Sequence, residues 1–282
     1  MPGSWFILIE KIFTNLVINK SELCFKVDNM DIVIIGSGNV ATVLGRKFKA
    51  AGHTILQVVS RNAKAATELA YQWDTESSNY FSVINKNADV YIIAVNDDAI
   101  EKVMADIKLP GKVVAHTAAS MPKDILKNVS EHYGVFYPLQ SLRKEMTKLP
   151  EMPLFVEGND DKSNSVLTKL AQSISPDHVI VSTEGEREKM HVAAVVVNNF
   201  TNHLYALAEN FCKKEGLNFK ELIPLIEETV NRLKTNSPNE TQTGPAARED
   251  IETIKKHIGL LQNHPQLKKI YETFTESIRT GM

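Results

Sequence analysis

The sequence predicts an α/β fold: an N-terminal Rossmann-type, doubly wound parallel sheet followed by an all-helical C-terminal domain. Three observations carry that expectation. Asp31–Ile35 is a short β-branched run whose unbroken apolarity suits a strand buried on both faces. It leads directly into Gly36-Ser37-Gly38-Asn39-Val40-Ala41, a GxGxxA turn, and then into helix-forming residues from Thr42 to Ala50. Strand signals then alternate with helical patterns as far as residue 183 and stop there.

Composition sets the outer bounds. The chain has 282 residues, a prior of about two domains. Hydrophobic residues make up 43% and charged residues 23%, as in ordinary globular chains rather than disordered ones. The net charge of −2 offers no polyanion-binding field, so nucleic acid is not an expected partner. The two cysteines, Cys24 and Cys212, make neither a metal-ligand spacing nor a disulfide framework. They fit a reducing compartment, and a cytoplasmic protein is expected. No stretch reaches the ~18 consecutive apolar residues of a membrane span. Residues 1–29 lack the parts of a secretory signal and read either as an added amphipathic helix or, since Met30 immediately precedes the first strong strand, as an extension from an upstream start; no role is assigned to them.

Each position of the glycine turn has a physical task. Gly36 permits the tight turn, and Gly38, without a Cβ, lets a pyrophosphate approach the backbone. Ala41 lets the helix pack close to the strand, and the helix N-terminus offers free N–H groups to phosphate. The second strand, Ile55–Val59, ends in Ser60-Arg61-Asn62 with no carboxylate for a ribose hydroxyl. Arg61 can fork onto a 2′-phosphate and Ser60 can donate to it, so NADP is expected over NAD. The same three residues would also cap the next helix, Ala63–Tyr71.

Further strands are expected at 89–95, 112–116, 135–139, 154–156 and 178–181. In such a sheet, ligands lie beyond the carboxyl ends of the parallel strands. That singles out Val95, Asn96 and Asp97, then His116 and Thr117, then Tyr137 to Gln140. Asn96-Asp97-Asp98 also reads as a plain helix N-terminus, and His116 as a core histidine bonded to backbone.

From residue 184 the pattern is helical: one long stretch from Glu186 to Lys213 capped by Gly216, then 220–234, 245–261 and 265–280. The apolar leading helix suits a homodimer interface. His191, Asn198 and Asn202 are expected on one face. Pro245 is expected at a first helical position, with Arg248 near that N-terminus, free for an acid group or paired with Asp250.

Taken together, IGSGNVA (35–41), AVNDDAI (94–100), VVAHTAAS (113–120), FYPLQSL (136–142), HVAAVVVNNFTNHLYALAE (191–209) and TGPAARED (243–250) make the chain resemble the two-domain NADP oxidoreductase-like proteins. In these a Rossmann domain precedes a helical domain called DUF2520. More distantly the chain is similar to pyrroline-5-carboxylate reductase and the β-hydroxyacid dehydrogenases. The last group polarises the reacting oxygen with a Lys and an Asn one helical turn later. Lys189 matches the Lys, but Val192 and Ala193 follow at the amide's place, so Asn198 or Asn199 would substitute. A glycine usually precedes the final Asp of the TGPAARED segment, and here Glu249 stands there.

The expected division is therefore an extension (1–29), an NADP-binding domain (30–183) and a helical substrate and dimerisation domain (184–282). The expected activity is hydride transfer between NADP(H) and a small polar, acidic carbonyl, imine or alcohol bound between the domains. His116 or Lys189 would supply the proton, Asn198 would orient the substrate and Arg248 would anchor its acid group. The other reading is an NADP(H)-binding sensor or regulatory dimer without turnover.

Overall fold

The computed structural model describes residues 29–105 and 107–281. The extension expected over 1–29 lies, but for Asn29, outside them. The strands are β1 (Asp31–Ile35), β2 (Thr54–Val59), β3 (Glu76–Ser78), β4 (Val90–Ile93), β5 (Val113–His116), β6 (His132–Pro138), β7 (Leu154–Gly158) and β8 (Val179–Val181). They form one sheet in the order β3-β2-β1-β4-β5-β6-β7-β8. Helices α1 (Asn39–Ala50), α2 (Ala63–Trp73), α3 (Asp97–Ala105) and α4 (Asp161–Ile174) connect its strands.

The sheet is sandwiched because β1 is apolar at every position. Ile32 and Ile34 join the core beneath α1 and α4, while Val33 and Ile35 join a second core with Val103 and Leu126. Alternation of side chains across the pleat makes both faces greasy, and both are covered.

The sheet is not parallel throughout. β7 runs antiparallel to β6, whereas β8 is parallel to β7. The connection between Pro138 and Leu154 contains no helix. Without a crossover element the chain re-enters the sheet from the edge it left, which gives an antiparallel pair. The helix α4 then provides the crossover that makes β8 parallel.

By internal contacts the chain divides after Val192 into two compact units. The helix expected over 186–213 is found as α5 (Glu184–Ala194), a π-helical segment (Val195–Phe200) and α6 (Thr201–Lys214). The π segment breaks the 3.6-residue register, so spacing no longer places Asn198 and Asn202 on the face of His191. Both asparagines are exposed and need no buried partner. Gly216 follows α6 with a φ of 71°, and Leu217 N–H closes on Cys212 O at 2.7 Å, as a glycine cap does.

The second unit continues with α7 (Ile223–Arg232), α8 (Ile251–Leu260) and α9 (Pro265–Thr280). The helix expected from Pro245 starts only at Ile251. Asp250 is its N-cap, accepting from Thr253 N–H at 3.1 Å and from its hydroxyl at 2.7 Å. Glu249 just before it has a φ of 55°, which cannot continue a helix. The residue that replaces the usual glycine thus sits in the backbone region that favours glycine.

Candidate functional site

The carboxyl edge of β1 builds a cradle. Gly36 has a φ of 127°, and a Cβ there would lie 2.1 Å from Ala94 O, so only glycine fits between β1 and β4. Gly38 is the N-cap of α1, with no side chain bonded across the helix end. The helix begins at Asn39, three residues earlier than expected, so Asn39 and Val40 form its open first turn. A Cβ on Gly38 would meet nothing within 4 Å. Space in front of free amides at a helix N-terminus is what a diphosphate needs. The side chain of Asn39 is turned to another task, accepting from Lys144 N–H at 3.1 Å.

A cleft of about 510 Å³ opens over this turn, lined by Gly36, Ser37, Gly38, Ser60, Arg61, Asn62, Val95 and Asn96, among others. The end of β2 caps α2, one of its two expected purposes. Ser60 and Ser37 hydroxyls are 2.8 Å apart, and Asn62 caps α2 by accepting from Ala65 N–H at 3.1 Å. Arg61 is exposed at the rim. Beyond β4, Asn96 and Asp97 are exposed at the start of α3, with Asn96 O accepting from Ala99 N–H at 2.9 Å. Asn96 lines the cleft while Asp97 sits in the first turn of the helix. Thr117 is buried, its N–H bonded to Ile93 O at 3.1 Å.

His116 is fully buried. Its Nδ1 accepts from Ala118 N–H at 3.2 Å and its Nε2 lies 3.3 Å from Pro122 O. That fixes a neutral ring with the proton on Nε2. Burial pushes its pKa down to about 4, against a smaller upward pull from Pro122 O. With both nitrogens engaged, the residue has the environment of a core histidine and offers substrate no proton. Between pH 6.5 and 4 the unfolded chain takes up a proton that folded His116 refuses, so stability is lost as pH falls through that window. The expected loss is about 3 kcal/mol at 1.36 kcal/mol per pKa unit. Urea unfolding at pH 7 and pH 4.5 should show it, and His116→Asn should flatten the slope. His53, lowered by burial, leaves a residual slope in the variant.

Sequence reasoning missed Arg187. It is fully buried on α5 and spends its guanidinium on three acceptors: Glu157 Oε2 at 2.5 Å, Ala119 O at 2.9 Å and Met121 O at 2.9 Å. Lys123 binds the other oxygen of Glu157 at 2.7 Å. The network ties α5 and β7 to the segment that follows β5. The signal available was only an arginine in the first turns of an otherwise ordinary helix, with no spacing to distinguish it. One helical turn later, His191 Nδ1 lies 2.9 Å from the Tyr137 hydroxyl at the end of β6. Lys189, two residues from each, is on the other side of α5 and exposed.

Two family descriptions match the sequence. Residues 31–120 match "NADP oxidoreductase coenzyme F420-dependent", and residues 152–278 match the domain of unknown function DUF2520. A Bacteroides fragilis protein of known structure, described as a candidate NADP oxidoreductase, is 34% identical over 90% of this chain and all of its own, with a TM-score of 0.82. The chain belongs to the two-domain NADP oxidoreductase-like family with a DUF2520 domain.

More distant structures share the fold of this family. The reductive aminase of Aspergillus terreus, solved with NADPH and ethyl levulinate, has a TM-score of 0.68 at 13% identity, covering 90% of this chain and 95% of its own. The 1-pyrroline-5-carboxylate reductase of Streptococcus pyogenes has a TM-score of 0.59 at 15% identity, covering 90% and 99%. No curated protein matches the chain. In this NADP oxidoreductase-like chain the glycine turn and His116 lie within the first match. Glu157, Arg187, His191, Asn198 and Arg248 lie within the DUF2520 match, which begins at the start of β7. The FYPLQSL segment falls between the two. Among the described residues no helix is long and apolar enough to cross a membrane.

Arg248, expected at a helix N-terminus, is exposed in the turn before the Asp250 cap. Its charge helps hold the Asp250 carboxyl below the ordinary range, after the larger effects of the Thr253 hydroxyl and N–H. Its guanidinium stays open to solvent.

Proposed function

We propose that the chain is an NADP(H)-dependent oxidoreductase acting on a small polar, acidic carbonyl, imine or alcohol. The observation that carries this reading is the open cradle: free first-turn amides facing empty space at Gly38, with Arg61 and Ser60 at the rim of the same cleft. Gly36 to Val40 would hold the diphosphate, and Ser60 and Arg61 the 2′-phosphate. Val95, Asn96, Asp97 and Thr117, at the ends of β4 and β5, would border the nicotinamide half. When bound, the cofactor supplies the hydride chemistry, while the protein aligns the substrate and manages a proton. Asn198 would orient the substrate and Arg248 would take its acid group, whereas Lys189, expected as a proton donor, is exposed on the side of α5 away from Arg187 and His191. We place the protein in the cytoplasm as a homodimer. Exposed Val196, Val197, Phe200 and Leu225 in the second unit support a helical interface. The buried, fully bonded state of His116 favours a second reading, a sensor that binds NADP(H) without turnover.

Fluorescence titration tests the cofactor assignment. NADPH should bind at least tenfold tighter than NADH. Replacing Arg61 by Ala removes a charge-assisted contact of about 1.5–3 kcal/mol, so NADPH should weaken roughly 10- to 150-fold and NADH less than twofold. Equal losses for the two nucleotides would refute the assignment. Light scattering of the same preparation should give the mass of two chains, and a monomer would remove the interface proposal.

A further inference from the structure

Two segments singled out in the sequence, FYPLQSL and HVAAVVVNNF, have no role in the cradle, yet they meet. Tyr137 Oη and His191 Nδ1 are 2.9 Å apart, and their rings pack edge to face at 5.8 Å and 81°. Phe155 on β7 backs the tyrosine at 6.2 Å. Both side chains are half-buried, so they are partly desolvated and still reachable.

Strand register fixes where the pair stands. Ile35, Ile93, His116 and Val135 lie in one row across β1, β4, β5 and β6. Tyr137 is two residues beyond that row, about 6–7 Å further toward the carboxyl edge. Gly36, Ala94 and Thr117 follow the same row on the neighbouring strands. The phenol therefore stands at the sheet edge that carries the cradle, on the β6 side.

We infer that Tyr137 is the proton donor for reduction and that His191 is its positioning and recharging partner, which rests on the oxidoreductase reading above. Neither other expected proton donor can reach this edge. His116 has both nitrogens bonded to backbone, and Lys189 lies on the far side of α5. With a hydrogen on Nδ1, His191 donates to the phenolic oxygen and leaves the phenol hydrogen for the substrate. As the substrate carbon accepts hydride from the reduced nicotinamide, its C=O or C=N π pair moves to the heteroatom. The heteroatom takes the Tyr137 proton, and the phenolate takes the Nδ1 proton of His191. His191 then recovers its proton from solvent. The substrate gains two electrons and the nicotinamide loses two. Burial raises the Tyr137 pKa, so the hydroxyl keeps its proton at neutral pH. The charged group facing it is Arg187 of α5, which pulls the other way by a smaller amount, and the β7 neighbour Phe155 is uncharged.

The test uses the full chain with NADPH and a panel of 2-oxo acids, short aldehydes and 1-pyrroline. Tyr137→Phe should lower kcat about 10²- to 10³-fold, within the range of general-acid catalysis, while NADPH affinity stays within twofold. His191→Gln should lower kcat at least tenfold while the substrate KM stays within twofold, a split that looser packing alone does not produce. The glutamine variant keeps the tyrosine in place and so covers the case in which Tyr137→Phe fails to fold. A wild type that reduces a panel member with both variants matching its kcat overturns the inference and leaves the oxidoreductase reading standing. A wild type that binds NADPH and reduces nothing overturns both.

Discussion

Replacing Arg187 by leucine should destabilise the first unit by about 3–5 kcal/mol, because it strands the buried Glu157 carboxylate without its closest partner. The side chain is fully buried and three acceptors depend on it. Lys123 holds the other carboxylate oxygen but is itself partly exposed, so it compensates only in part. For a unit of this size each kcal/mol moves Tm by roughly 2–4 °C, giving an expected fall of about 6–20 °C. The double variant Arg187→Leu with Glu157→Leu should recover a large share, since the charge left behind is gone. Recovery should stay incomplete. Ala119 O and Met121 O still lose their donors, at about 1–3 kcal/mol for each buried group left unpaired. Calorimetry of the two variants decides it. A single variant as stable as wild type would mean that the network holds nothing together.

The contrast between Arg187 and the glycine turn explains what the sequence made legible. Gly36, Gly38 and Ser60-Arg61-Asn62 announce themselves because a phosphate cradle is local: strand, turn and helix N-terminus lie within one short span. Strand β1 is equally plain, since an all-apolar β-branched run has one reading. Arg187 and Glu157 are thirty residues apart and meet only through the fold, so neither carries a local signature. The antiparallel turn of β7 was hidden for a similar reason, because strand direction depends on what a loop omits. The π segment at Val195–Phe200 defeated helical spacing for Asn198 and Asn202, since counting by 3.6 assumes an unbroken α register. At Glu249 the departure from the usual glycine was visible, but its meaning needed the φ of 55°. Tyr137 and His191 were each noticed as residues at a strand end and on a helix face, and only the fold brings them into contact.

The two cradle glycines should respond to alanine in opposite ways as far as folding is concerned. Gly38→Ala should fold and melt like wild type: its backbone is extended, with φ −84° and ψ −168°, and a Cβ meets nothing within 4 Å. It should nonetheless weaken NADPH at least tenfold, because the new methyl stands where the diphosphate must come close to the helix amides. Gly36→Ala should lose both stability and binding. Its Cβ would sit 2.1 Å from Ala94 O, just past β4, at a φ of 127° that alanine resists. Relief requires β1 and β4 to part at the edge where the cleft opens, at a cost of about 1–3 kcal/mol for an overpacked site. Melting curves and NADPH titration on the two variants separate the roles. If Gly38→Ala bound NADPH as tightly as wild type, the nucleotide would not lie against this turn, and the cofactor site would have to be sought elsewhere on the sheet.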